Sequence, residues 1–182
     1  SDFRFHFVGA FEVDTILPLL ARYLGGLPAR DDGPSTYGDT DVFFPPGKTL
    51  EFVRAGLESK AHTTMTWPAR TSLDEMEMFV MRRATDVLEI RLRELLREEL
   101  GSTYSAGIGY NYAPPFPKYS TTAVWFGSAP ENASRMVDLV FDEITRFKTE
   151  GPTVEEVATV QELERRTVEK RLKENGYWLA SL

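Results

Sequence analysis

The sequence predicts an α+β fold, a two-layer sandwich in which helices pack on one face of a mostly antiparallel sheet. Apolar residues alternate with a period of two in several short segments and recur at helical spacing in longer ones. These segments follow the order β-α-β-β-α-β-β-α-α, in which strands come in pairs and helices are grouped. A parallel sheet would require strands and helices to alternate strictly, so this order favours an antiparallel sheet.

The first sixty-seven residues contain three predicted strands and one predicted helix. Period-two patterns predict the strands at Phe3–Val8, Thr49–Arg54 and Lys60–Trp67. Asp14 is the expected cap of the helix, and Gly25 with its neighbour Gly26 is expected to end it.

A long helix is expected next. Its predicted start is the capping box Ser72-Leu-Asp-Glu75, and its predicted terminator is Gly101. Such a length exceeds the average for globular domains, so a break near residues 82–85 is allowed.

The second half of the chain predicts a hairpin followed by two helices. Tyr104–Tyr112 and Tyr119–Phe126 are the predicted strands of the hairpin, with prolines in the loop between them. Capping boxes at Ser128–Glu131 and Thr153–Glu156 predict the starts of the two helices. Gly151 is expected to end the first of them.

Composition excludes several classes of protein. The formal net charge is −7, which disfavours nucleic-acid binding because such proteins carry basic patches. No apolar run approaches the roughly 20 residues that a membrane-spanning helix requires. The chain has no cysteine, which removes disulfides, thiolate metal sites and a cysteine nucleophile.

Few residues offer metal or nucleotide chemistry. The two histidines, His6 and His62, lie in predicted strands without carboxylates at ligand spacing, so structural or surface roles are expected. Gly107-Ile-Gly109 lacks the third glycine of a dinucleotide fingerprint and lies within a strand. We interpret it as a pair of small residues that allow close approach on the sheet.

Charged residues of both signs alternate along the C-terminal half of the long helix. Glu89 and Arg93 have the spacing of a helical ion pair, and the pattern as a whole is typical of a solvated helix face. Arg97 lies one turn before the expected end of this helix, and Tyr104 lies beyond the Gly101 bend. A helix-to-strand corner can bring these two donors to one edge, where they can hold a peptide carbonyl and stabilise an oxyanion.

Several segments, in order, resemble those of the zinc metallopeptidases that include insulinase, pitrilysin and the mitochondrial processing peptidases. The likeness covers nearly the whole chain and is closest to bacterial, often periplasmic, zinc proteases. The matching segments are Phe7–Thr15, Tyr23–Pro28, Leu96–Ser105, Gly151–Glu156 and Glu174–Leu179.

The resemblance implies the α+β fold of the processing peptidases, in which homologous domains enclose a chamber. The chain has no inverted H-x-x-E-H motif, so it resembles the C-terminal, non-zinc partner domain. The resemblance maps the arginine and tyrosine of that domain onto Arg97 and Tyr104 and implies that they hold the substrate carbonyl during hydrolysis. Zinc is expected in the partner domain, and neither a metal nor a cofactor site is expected in this chain.

The same resemblance sets the expected context. Residues 1–182 are expected to be one domain, a fragment of a longer zinc metalloendopeptidase that is inactive alone. The expected partners are a zinc-bearing homologous domain, in the same chain or a partner subunit, and a peptide substrate. Nucleic acid and membrane insertion are not expected, and the parent is expected in the periplasm or cell envelope. The alternatives are a catalytically dead scaffold subunit and a peptide-binding module of the same fold that lends a sheet edge to its ligand.

Overall fold

The protein is described by a computed structural model in two compact units, residues 1–39 with 162–182 and residues 40–161. The prediction that residues 1–182 form one domain stays a prediction. The described residues are 4–28, 43–71, 74–100, 105–112 and 119–180.

The first unit is helical. Helix α1 spans Val13–Tyr23, and its N-cap is Glu12, which makes no side-chain capping hydrogen bond. The prediction that Asp14 caps this helix is therefore wrong. Asp14 lies in the first turn instead, where a carboxylate favours the positive end of the helix dipole.

The second unit is built on a three-stranded antiparallel sheet. Strand β1 spans Ala61–Arg70, β2 spans Ala106–Tyr112 and β3 spans Tyr119–Ser128. The order in the sheet is β1-β3-β2, so the hairpin strands β2 and β3 are neighbours and β3 lies in the centre. The predicted hairpin is thereby confirmed, and the predicted strand at Lys60–Trp67 begins one residue later and extends further.

Two long helices cover one face of this sheet. Helix α2 spans Glu75–Leu100 and contacts β2, and helix α3 spans Ala133–Glu150 and contacts β1. Between the sheet and these helices lies the core, which confirms the two-layer prediction. The buried core residues are Leu88, Leu92, Leu96, Ile108, Val124, Phe126, Met136 and Val140.

The chain ends in two further helices. Helix α4 spans Val154–Arg171 and crosses from one compact unit to the other, and the short helix α5 spans Asn175–Ala180. Trp178 on α5 donates its indole N–H to the carbonyl of Leu172, at 2.9 Å. Across the described residues, no helix combines the length and the apolar character needed to cross a membrane.

Two predicted strands are absent from the described residues. Residues 4–8 and Thr49–Arg54 adopt no regular secondary structure, although both carry the period-two pattern. Their side chains are mostly exposed, as Phe52 at 81% shows. A strand is stabilised by pairing its backbone with a neighbour, and the described residues provide no neighbour for either segment.

The starts of the helices test the three predicted capping boxes. At α2 the cap is Asp74, whose carboxylate accepts from the backbone N–H groups of Met76 and Glu77 at 2.8 and 3.0 Å. Ser72, the predicted cap, lies outside the described residues. The Thr153–Glu156 box is confirmed, because each residue's side chain accepts from the other's backbone N–H, at 2.7 and 3.2 Å.

The capping box predicted at Ser128 is wrong. Ser128 is the last residue of β3, fully buried, and a short 3₁₀ helix at Pro130–Asn132 precedes α3. Asn132, the N-cap of α3, makes no side-chain capping hydrogen bond. Because the strand continues two residues further than predicted, the serine is committed to the sheet before the helix starts.

Helix α2 continues without the break that its length allowed near residues 82–85. Thr85 lies within it and bonds through its hydroxyl to the carbonyl of Met81, at 2.8 Å. Val87 and Leu88 follow on the core side of the helix. From Thr85 onward one face of this 26-residue helix is buried, whereas apolar side chains of its first turns are exposed, such as Phe79 at 58%.

Candidate functional site

Arg97 lies in the last turn of α2, on the solvent side of a well-anchored helix end. Leu92 and Leu96 on the same helix are 3% and 1% exposed, so the backbone that carries Arg97 is fixed to the core. The Arg97 side chain is exposed. Within the described ranges, no carboxylate or other hydrogen-bond acceptor pairs with its guanidinium, a group that carries five N–H donors.

Tyr104 and the Gly101 bend lie outside the described residues. The proposed meeting of the Arg97 guanidinium with the Tyr104 hydroxyl therefore stays a prediction. What the structure defines is the two elements on either side of it, because α2 ends at Leu100 and β2 begins at Ala106. The predicted helix-to-strand corner thus has its helix and its strand in the predicted order.

Three other arginines of the helix are engaged, Arg83, Arg91 and Arg93, whereas the exposed Arg82 pairs with no acidic side chain among the described residues. Arg93 pairs with Glu89 one turn earlier, as the spacing predicted. Arg135, near the start of α3, pairs with Glu99, near the end of α2, and so links the two helices. Arg97, like Arg82, is exposed and forms no ion pair with a described acidic side chain, and it differs from Arg82 in lying at the end of the helix.

Arg91 is the most constrained charged residue of the helix. Its guanidinium donates two hydrogen bonds to the Glu156 carboxylate, at 2.5 and 2.7 Å, and one to the carbonyl of Gly151, at 3.0 Å. A third nitrogen lies 3.5 Å from Glu143, and the cation lies 5.1 Å from the ring centre of Phe147. These contacts join α2 to α3, to the Gly151 cap and to the start of α4.

We call these residues, Arg91, Glu143, Gly151 and Glu156, the Arg91 cluster, and its charged groups interact strongly because they are buried. The Glu143 side chain is 4% exposed and that of Arg91 is 11% exposed, so both charges are largely removed from water. Arg146 also pairs with Glu143 from the solvent side. Gly151 adopts φ 72°, a left-handed conformation in which glycine is favoured, and this conformation turns its carbonyl toward Arg91.

The cluster shifts the protonation equilibria of its members. The hydrogen bonds from Arg91 lower the pKa of the Glu156 carboxyl to about 2, against an opposing effect of burial, and the backbone N–H of Thr153 lowers it further. The same hydrogen bonds to Glu156 raise the pKa of Arg91. Glu156 is consequently ionised in the folded protein under all mildly acidic conditions.

We expect the cluster to make the chain acid-sensitive between pH 4.5 and about 2. The folded-state pKa of Glu156 lies below its ordinary value, so its contribution to stability is complete above pH 4.5 and is lost as pH falls. Between pH 5 and pH 3 the loss attributable to this group is about 2 kcal/mol. Urea unfolding followed by circular dichroism at several pH values measures it.

Glu156→Gln is the matched variant for this prediction, because glutamine keeps the size of the side chain and does not titrate. The variant is expected to lose less stability than the parent sequence between pH 5 and pH 3. Equal losses in the two proteins would show that other carboxylates cause the acid sensitivity.

The described residues do not fit a zinc site. They contain no group of three or more histidine, cysteine, aspartate or glutamate side chains placed to hold a metal ion. His62 is exposed and lies 3.4 Å from the hydroxyl of Thr64, and His6 is exposed in the other unit.

Sequence reasoning missed the role of Arg91. It placed Arg91 among the solvated charges, whereas the Arg91 side chain is 11% exposed and lies in an ion-pair cluster. A signal was present, because residue 91 lies three residues after Leu88 and four before Leu95, on the apolar side of the helix. A charge in that stripe predicts a buried partner.

Fold and site together define a class of protein: an α+β domain that presents an unpaired cation at a rigid helix end and has no described metal ligands. An exposed guanidinium of this kind is a hydrogen-bond donor suited to a carbonyl or carboxylate oxygen.

Comparisons with known proteins identify the family of this chain. The family model described as "Peptidase M16 inactive domain" matches residues 1–163, so the chain belongs to that family. It is 30% identical over 192 aligned positions to the zinc protease PQQL-like of Arabidopsis thaliana. That alignment covers 98% of this chain and 20% of the plant protein.

Two solved structures share the fold. The periplasmic protease PqqL from Escherichia coli superposes with a TM-score of 0.66 at 16% identity, over 93% of this chain and 19% of that one. A protein described as a predicted insulinase family protease, from Yersinia pestis, gives 0.66 at 13% identity, over 94% and 38%. The chain thus spans about a fifth of the length of the PQQL-like relative and of PqqL.

Proposed function

We propose that this chain is the non-zinc domain of a zinc metallopeptidase, which closes the substrate cleft and holds the peptide and its oxyanion. The observation that carries the proposal is the exposed guanidinium of Arg97, unpaired among the described residues and fixed at the end of a buried helix. Membership of the inactive-domain family supports the division of labour. Zinc, in a homologous partner domain, supplies the metal chemistry.

Arg97 and Tyr104 have complementary roles in this proposal. The Arg97 cation attracts the substrate carbonyl oxygen and stabilises the negative charge that develops on it, because a charged donor forms a stronger hydrogen bond than a neutral one. The Tyr104 hydroxyl donates a second hydrogen bond to the same oxygen. Neither group needs to lose or gain a proton to act in this way.

Anchoring of α2 supports the role given to Arg97. An oxyanion donor is effective when it is oriented before the reaction, since reorganisation of the site then costs little. Buried leucines fix one side of α2, and the Arg91 cluster ties its middle to α3 and α4. We therefore assign Arg91 a structural part in the proposed site.

A location for the parent protein belongs to the same proposal. PqqL, which shares the fold, is described as periplasmic. A periplasmic or cell-envelope peptidase that contains this domain is consistent with that likeness.

We expect the isolated chain to hydrolyse no peptide, with or without added zinc, because its described residues hold no metal-binding group. The measurement is mass spectrometry of a mixed peptide pool after incubation with the purified chain. Cleavage that a chelator abolishes would contradict the assignment of zinc to a partner domain. Addition of the separately purified zinc-bearing domain is expected to restore cleavage, and a scaffold subunit would not restore it.

A further inference from the structure

The sheet has a second face that no described helix covers within residues 40–161. Along β3, Val124 and Phe126 are buried against α2 and α3, while Trp125 between them lies on the opposite face and is 39% exposed. Thr64 and Thr66 of β1 are also exposed on that face. Single exposed apolar side chains are common on protein surfaces and in this chain, so the informative feature is the arrangement around Trp125 rather than its exposure.

Two glycines place the tryptophan ring flat against the sheet. Gly107 is the direct cross-strand partner of Trp125, and Thr64 is its partner on the other side. A Cβ atom added to Gly107 would lie 2.6 Å from Cζ2 of the ring, whereas one added to Gly109 would lie 3.4 Å from Cζ3. The ring therefore occupies the space above both glycines, which confirms that they allow close approach on the sheet.

We call the surface formed by Trp125, Gly107, Gly109, Thr64 and Thr66 the Trp125 platform. The strand segments that carry it, residues 62–68, 107–111 and 121–127, contain no aspartate, glutamate, lysine or arginine. The platform therefore joins an uncharged aromatic surface to nearby hydroxyl groups. This chemistry suits an apolar side chain and the polar backbone of an extended peptide, and it gives no electrostatic preference to a charged ligand.

Chain connectivity places the platform near the proposed oxyanion site. Gly107 follows Tyr104 by three residues, so their Cα atoms are separated by at most roughly 11 Å. That distance corresponds to about three residues of an extended peptide. A substrate held at its carbonyl by Tyr104 can thus reach the platform with a side chain two or three positions away.

We infer that the Trp125 platform is a substrate subsite, which binds an aromatic or large aliphatic side chain of the extended peptide. The inference rests on the proposed function, because it takes the ligand to be the peptidase substrate. The inference adds that the peptidase prefers substrates with an aromatic or large aliphatic side chain at one position, because that side chain packs on the indole ring. Trp125 has two competing roles, which the experiment below distinguishes. In the first it only covers the two glycines, and in the second it contacts a second copy of the chain.

The experiment uses the chain labelled with 5-fluorotryptophan and observed by ¹⁹F NMR. Its three tryptophans are Trp67, Trp125 and Trp178, and single Trp→Phe variants assign their signals. The ligand is the blocked pentapeptide acetyl-Thr-Ala-Phe-Ala-Thr-amide, compared with the same peptide carrying glycine in place of phenylalanine. We expect the phenylalanine peptide to shift the Trp125 signal and to bind about tenfold more tightly than the glycine peptide.

Variants of the two glycines provide a matched pair. Gly107→Ala forces the ring to move, so we expect it to shift the Trp125 signal without ligand and to weaken binding of the phenylalanine peptide at least fivefold. Gly109→Ala places its methyl group in ordinary contact with the ring and is expected to change affinity less than twofold. Trp125→Ala is expected to abolish the preference for phenylalanine.

Each contrary outcome has a distinct meaning. Equal affinity for the two peptides, or no movement of the Trp125 signal, would overturn the inference and leave Trp125 as a cover for the glycines. Movement of that signal with protein concentration alone would overturn it in favour of self-association. The proposed function is tested separately, by the turnover of Arg97→Ala in the parent peptidase. Unchanged turnover in that variant together with a retained preference for the phenylalanine peptide would contradict the oxyanion role and leave the subsite standing.

Discussion

Replacement of Arg97 by alanine in the zinc peptidase that contains this chain is expected to lower kcat/KM by about 10²–10³, the typical effect of removing one oxyanion donor. The fall should lie mainly in kcat, because the lost interaction is strongest in the transition state. Steady-state kinetics on a fluorogenic peptide measure both constants. Tyr104→Phe, which removes only the hydroxyl group, is expected to act in the same direction.

Arg93→Ala is the control for this experiment. Arg93 is an exposed arginine one turn earlier on the same helix, and its partner is Glu89. Its loss removes the same charge from the same element and is expected to change kcat/KM by less than about twofold, in keeping with the small energies of exposed ion pairs. Zinc content, measured by atomic absorption, should be unchanged in all three variants. Full activity of both Arg97→Ala and Tyr104→Phe would favour the scaffold subunit.

Replacement of Arg91 by methionine is expected to destabilise the chain by about 3–5 kcal/mol, the range found when one partner of a buried ion pair is removed. Methionine restores most of the volume of the side chain and none of its hydrogen bonds. Glu143, 4% exposed, then keeps only its contact with Arg146, and the carbonyl of Gly151 loses its donor. The measurement is the free energy of unfolding from urea denaturation.

Arg93→Met is the matched control, because it makes the same substitution two residues away in an exposed pair. Its expected cost is below about 0.5 kcal/mol. The double variant Arg91→Met with Glu156→Gln should be less destabilised than the sum of the single variants, since the two residues share hydrogen bonds. A loss for Arg91→Met no greater than that for Arg93→Met would contradict the stabilising role of the cluster.

The elements of the second unit were predictable because their local patterns agree with their tertiary surroundings. Helical spacing predicted α2 and α3, and the prolines between the hairpin strands predicted the β2–β3 pair. The Thr153–Glu156 capping box was correct because both halves of the motif act within four residues. Such local interactions need no knowledge of the rest of the fold.

Sequence-based prediction failed for features that depend on a residue or strand far away in the sequence. The period-two pattern at Thr49–Arg54 predicts a strand, but a strand also needs a neighbour that local sequence does not specify. Arg91 shares its charge and spacing with the solvated residues around it, and its partner Glu156 is 65 positions away. The contact of Trp125 with Gly107 likewise depends on the register of β2 against β3.

Arg97 itself was identified by resemblance and by the spacing of two donors across a bend. The structure adds that its helix end is anchored and that its guanidinium is unpaired among the described residues, neither of which follows from the spacing. An exposed cation on a fixed backbone is the property that the proposed role requires.

A crystal structure of the complete zinc peptidase with a phosphinic peptide, which mimics the tetrahedral transition state, addresses that role most directly. We predict that one phosphinyl oxygen lies within about 3 Å of both the Arg97 guanidinium and the Tyr104 hydroxyl. A complex in which the two groups face different surfaces, each more than about 6 Å from that oxygen, would contradict the proposed site.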